Sequence, residues 1–250
     1  MSNTDDLSLK GRFHEEIRKL KVLKGKARLQ YIWDYYKPLM AIILGIVLVI
    51  TIIAQMVHNS KIDTVLSVAI LNGAGFDEES QEPLINGFAE YAGITLDEWT
   101  EVSIDSSMTM DPGQMDTYTM SSMTKIMAMS GSGSLDVMLM PESVFEYYAK
   151  RGMFENLEDV LPADLMEQNK DGLRMEAQYT EEEQSENMNE MRDGLESEKE
   201  PAGEKLPYGV EVERSGALVD LCPYEPVIAA VSVSAANREN AVKFVQYLLH

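Results

Sequence analysis

Histidine is scarce where catalysis would need it. The three copies are His14, His58 and His250, two near the N-terminus and one at the last position. A histidine-based triad, a metalloprotease helix or a His-ligated zinc site therefore has no material in the body of the chain. No GxxxxGK[ST] phosphate loop occurs, and the SGSGS run after Met129 lacks its lysine. Glu167-x-Asn169-x-Asp171-Gly172 imitates the start of a calcium loop, but Gln178 stands where the twelfth-position glutamate belongs. The one cysteine, Cys222, can form no internal disulfide, and a lone cysteine reads first as a small buried apolar residue. Nine of the 17 methionines fall between Met108 and Met140. Their thioethers suit core packing first, then an adaptable apolar groove or a Cu(I) site. No cofactor or metal is expected, and the chain does not read as an enzyme.

Charge separates the chain into two parts. Before Leu39, nine basic residues face five acidic ones, a net +4; the remainder carries 12 basic and 37 acidic residues, a net −25. So acidic a body is repelled by nucleic-acid phosphates, which excludes that partner.

Short apolar runs and helical periodicities alternate from about Lys61 onward. Thr64–Leu71, Glu101–Ser106, Leu135–Met140 and Pro226–Ser234 read as strands. Helices are predicted through Leu84–Ala92, over about Gln114–Ser130, after Glu142, and through Ala241–Leu248 capped by Ser234 or Asn237. The pattern implies an α/β fold in three layers with a mostly parallel sheet. The stretch from about 167 to 205 holds TEEEQSENMNEMRDGLESEKEPAGEK and few apolar anchors, and reads as a mobile acidic excursion. In open α/β sheets ligands sit beyond the carboxyl ends of the strands. That rule nominates Asn72, Gly73 and Phe76, then Ser106 and Ser107, then Glu142 and Ser143, with Tyr224 and Glu225 ahead of the last strand.

Ahead of this domain, residues 38–58 contain LMAIILGIVLVITIIAQMV, free of charge and about 28 Å long as a helix, enough to span a ~30 Å hydrocarbon core. Tyr31, Trp33, Tyr35 and Tyr36 precede it, where amphipathic rings favour the headgroup layer. The basic excess of residues 1–37 places the N-terminus in the cytoplasm and residues 60–250 outside. Leu9, Phe13, Ile17, Leu20 and Leu23 give the tail one apolar helical face, suited to an anionic leaflet or a protein partner.

Three passages carry a resemblance. In LDVMLMPESVFEYYAKRGMFENLEDVLPADL, Asp136 and Val137 form a "DV" strand end, followed by Gly152, Phe154, Leu157 and Leu161 in G-x-F-x-x-L-x-x-x-L. Tyr208 opens YGVEV, with Glu211 at a proline-like position, and the close has Ala235, Asn237, Ala241, Phe244 and Leu248 in an S-x-N-x-x-A-x-x-F-x-x-x-L pattern with alanine for serine. Together they resemble the extracellular solute-binding proteins of ABC importers, of the periplasmic-binding-protein-like type II family. The anchor block YIWDYYKPLM resembles that of membrane-anchored proteins of clostridia-like, Gram-positive bacteria. The resemblance implies one periplasmic-binding-protein-like lobe, capture of a small solute such as a sugar or peptide, and an ABC permease as partner. The recognisable elements belong to one lobe, and the acidic excursion stands where a second would be. The alternative function is a non-enzymatic envelope interaction or scaffold module with the fold but without a complete ligand site.

Overall fold

The computed structural model describes residues 26–59, 61–74, 77–185 and 200–250. They fall into two compact units, divided between Lys61 and Ile62. The first contains one long helix, α1 (Lys26–Asn59). Its described apolar side chains, between residues 40 and 55, are exposed all round: Ile42 at 59%, Leu44 at 70% and Ile50 at 60%. Among the described residues no helix is long and apolar enough to cross a membrane. The tail's apolar face, Leu9 to Leu23, lies outside the described residues.

The second unit is an open six-stranded sheet whose strands lie in the order Thr100–Asp105, Asp63–Ile70, Val137–Met140, Val227–Val231, Leu206–Val212 and Leu173–Glu176. Its strands are β1 (Asp63–Ile70), β2 (Thr100–Asp105), β3 (Val137–Met140), β4 (Leu173–Glu176), β5 (Leu206–Val212) and β6 (Val227–Val231). The helices are α2 (Glu78–Ala92), α3 (Thr117–Gly131), α4 (Glu142–Ala149), α5 (Ala163–Gln168), α6 (Leu218–Leu221) and α7 (Arg238–Leu248). The α/β expectation holds, but the sheet is mixed. β1 pairs parallel with β2 and β3, whereas β6, β5 and β4 run antiparallel to their neighbours. Val212 pairs with Val227, so β5 ends on the edge where β6 begins, and β6 must run back against β3. Its unbroken apolar run suits a buried strand of either direction, which is why sequence could not tell them apart.

Strand periodicity builds two cores, one on each face. Leu66, Val68 and Ile70 of β1, Val137 and Leu139 of β3, and Val227, Ala229 and Val231 of β6 face one side, where Phe88 of α2 and Phe244 of α7 meet edge to face at 5.1 Å. Ala69, Met138, Met140, Ile228 and Ala230 face the other, against Val144, Phe145 and Tyr148 of α4. Helices therefore cover both faces. Gly209 on β5 exists because of this packing: a Cβ there would sit 2.5 Å from Phe145 and 2.8 Å from Ile228.

Two local expectations are corrected. The acidic excursion does not begin at 167, because β4 adds to the sheet beside β5, with Ala177 and Tyr179 buried behind it. That segment finds partners that its composition does not advertise: the Tyr179 backbone N–H donates to Lys150 O at 2.8 Å, and the Lys150 side chain forms an ion pair with the Glu200 carboxylate at 2.8 Å. Residues 186–199 lie outside the described residues. The methionines also divide. Met108, Met110, Met138 and Met140 are core, but α3 exposes Met120 (59%) and Met127 (66%) and buries Thr119, Ser122 and Ile126. The inward hydroxyls are needed there. Ser122 Oγ accepts the Thr109 N–H at 3.1 Å, and Thr119 Oγ1 accepts the Asp111 N–H at 3.2 Å.

Candidate functional site

The carboxyl ends of β1, β2 and β3 and the entry to β6 lie on one edge of the sheet, as the register requires. Several of the nominated residues take part in internal bonding. Asn72 follows β1 with φ +56, a left-handed conformation that asparagine tolerates better than most residues. Its amide clamps the segment after β2. Nδ2 donates to Met110 O at 2.9 Å, Oδ1 accepts the Met110 N–H at 2.7 Å, and the Asn72 N–H donates to Met108 O at 2.9 Å. Gly73 next to it is fixed by close approach, since a Cβ would lie 2.8 Å from Ile70 Cγ2 and 3.1 Å from Leu221 O. The Ala74 N–H then donates to that same Leu221 carbonyl at 2.8 Å. Phe76 lies outside the described residues.

At the end of β2, Ser106 is buried and accepts from Gln81 Nε2 at 3.3 Å. Ser107 Oγ donates to Asp105 at 2.6 Å and accepts from Lys125 Nζ at 3.1 Å, while Lys125 also pairs with Asp105. Partial burial pushes the Asp105 carboxyl upward, but the Lys125 and Ser107 hydrogen bonds outweigh it and hold the group below the usual carboxylate range. Glu142 opens α4 and pairs with Arg174 of β4 at 3.1 Å, and Arg174 also donates to Glu211 of β5. Ser143 is exposed beside it, and Glu225 is exposed ahead of β6.

Tyr224 is different. Its hydroxyl is buried beside the Cys222 thiol, a weak partner that gives it no well-formed hydrogen bond. Burial raises the tyrosine's pKa and lifts the thiol's to about 11. A folded-state pKa above the unfolded value means stability that is complete below the unfolded pKa and lost as pH rises toward the folded one. We expect the domain to lose about 2–3 kcal/mol between pH 9 and pH 11 through this thiol. Denaturant melts of the wild type and Cys222→Ala should show that part of the slope only in the wild type; equal slopes would contradict the buried-thiol account.

Asn72, nominated from sequence as a ligand contact, holds the chain's own backbone, and a variant measures that structural role. Asn72→Ala is expected to destabilise by about 2–3 kcal/mol, from two lost hydrogen bonds plus the cost of alanine at positive φ. Asn72→Gly should recover roughly 1 kcal/mol of that, since glycine bears the backbone shape without the clamp. Chemical denaturation reads both values. A neutral Asn72→Ala would remove the structural role.

The polar cluster that sequence did not assemble is at the opposite edge. Asp136, fully buried before β3, accepts the Ser67 N–H at 2.8 Å, the Asn237 N–H at 2.9 Å and Asn237 Nδ2 at 3.2 Å. Asn237 Nδ2 also donates to Thr64 O at 2.9 Å, and Asn240 Nδ2 to Val65 O at 2.8 Å. Asn237, predicted as a possible helix cap, makes no side-chain capping bond and spends its amide on this staple instead. A cleft of about 470 Å³ opens over it, lined by Thr64, Ser67, Ser134, Asp136 and Asn237 among others. Both Asp136 oxygens are occupied from within, so the arrangement joins β1, β3 and α7 and offers no base or nucleophile. Among the described residues no cluster of His, Cys, Asp and Glu could hold a metal ion.

No family model matches the chain, and neither a curated protein nor a solved structure does.

Proposed function

We propose that the chain is a membrane-anchored, extracytoplasmic interaction module. It is built on one lobe of periplasmic-binding-protein-like type and works by protein contact rather than by solute capture or catalysis. The observation that carries this reading is the bonding at the carboxyl edge. Asn72 is spent on Met110, Glu142 and Glu211 share Arg174, and Ser107 and Asp105 share Lys125. A solute would have to displace internal hydrogen bonds and ion pairs that already engage these groups.

The anchor is residues 38–58, on the sequence argument given above together with the ring of exposed apolar side chains on α1. The basic tail then lies on the cytoplasmic leaflet and the acidic domain faces outward. The resemblance to importer components keeps solute delivery to a permease as the competing reading, and the buried Tyr224 hydroxyl and Arg174 Nε, neither with a hydrogen-bond partner among the described residues, favour it.

Crosslinking in intact cells, followed by identification of the joined protein, separates the two. A stable partner that is not a transporter supports the module. An importer permease as the main product overturns it.

A further inference from the structure

We propose that the groove between α2 and the edge strand β2 docks an extended, lysine- or arginine-bearing segment of a partner protein, which adds to the sheet as a further strand. The inference rests on the interaction-module reading and names its partner chemistry.

β2 stands at the end of the sheet; apart from a single bridge between Thr100 and Asp97 at its start it pairs with β1, so its outer side carries no further strand among the described residues. An unpaired edge presents a row of N–H and C=O groups at strand spacing, the template that β-augmentation uses. Beside it α2 raises a second wall, leaving a groove of about 550 Å³. Glu79, Glu82 and Ile85 of α2 line one side, and Glu101, Ser103 and Ile104 of β2 line the other. Side chains of an added strand would alternate between the apolar contacts at Ile85 and Ile104 and the carboxylates at the rim.

The carboxylates select the occupant. None of Glu79, Glu82 and Glu101 forms an ion pair among the described residues; Glu101 accepts only a hydroxyl hydrogen bond from Thr64, at 3.1 Å. Charges on an edge ordinarily discourage strand pairing. Here they discourage acidic and neutral edges, including that of a second copy of this chain, which would set Glu101 against like charge. A basic segment alone gains from the same row.

The test uses the full chain in detergent micelles and a fluorescent peptide of the length of β2 with alternating lysine and valine. Saturable binding by anisotropy is expected. It should weaken at least about tenfold when alternate amides are N-methylated in the register that faces β2, because the main-chain bonds are lost. The Glu82→Lys/Glu101→Lys variant should weaken it by about tenfold or more. Both substitutions are at the groove rim, and a thermal melt checks that the variant folds.

Equal binding of the peptides methylated in either register would mean plain charge attraction and would overturn strand addition. Unchanged binding by the variant would overturn the groove, and no binding at all would overturn both. None of these failures touches the interaction-module reading, which falls instead if a small solute binds the carboxyl edge.

Discussion

Asp136→Ala should cost the domain about 3–5 kcal/mol, among the largest effects available to a single substitution here. The carboxylate is fully buried and receives two backbone N–H groups and one side-chain amide, from Ser67 and Asn237. Alanine leaves those donors facing apolar surroundings, each at a cost of about 1–3 kcal/mol before relaxation. Asn237→Ala should cost less, about 2 kcal/mol, because the Asn237 backbone donor survives. A double-mutant cycle in urea should then show coupling of about 1 kcal/mol or more between the two positions. Additive effects would mean that the contact is incidental.

Phe88→Ala is the second, at about 3–5 kcal/mol. Phe88 is fully buried where α2 crosses onto the sheet, meets Phe244 edge to face at 5.1 Å and lies 6.2 Å from Tyr247. It therefore fastens α2 to α7 as well as filling space. Part of the loss is burial of the ring, part is the cavity, and about 1 kcal/mol belongs to the aromatic pair. Phe88→Leu should recover more than half of the loss, since an aliphatic side chain fills much of the volume. A Phe88→Ala protein as stable as the wild type would place the hydrophobic centre elsewhere.

Local pattern made the elements legible. β1, β2, β3 and β6 and helices α2 and α7 fall within a few residues of where apolar runs and periodicity put them, because each carries its own apolar signal. Strand direction was not legible in β6, which is buried on both faces. β4 was hidden because Leu173–Glu176 has only a weak alternation and derives its order from β5 and from the Arg174 ion pairs. The orientation of α3 was also hidden. Its methionines suggested an inward face, but the backbone donors of Thr109 and Asp111 needed hydroxyls, and Ser122 and Thr119 face them.

At the candidate site, the rule for strand ends nominated residues that do lie along one edge of the sheet, without saying what each side chain does there. Asn72 and Glu142 are polar for the sake of the chain's own backbone and arginine. Asp136 and Asn237 were visible only as separate letters of a resemblance, since their contact spans 101 positions in sequence. The signal that could have joined them is an aspartate between Leu135 and Val137 in an apolar strand, which must find donors to be buried.

On the proposed function the carboxyl edge serves the chain itself and captures no solute. Thermal stability of the full chain in detergent, against panels of sugars, oligopeptides, amino acids and metal ions, tests it most directly. A ligand at 100-fold its dissociation constant adds about 2.7 kcal/mol, a shift of several degrees for a domain this size. No shift is expected with any panel. A reproducible rise with one solute class, abolished by a conservative change at Tyr224 or Arg174 in a variant that still folds, would contradict it and make the protein a solute receptor.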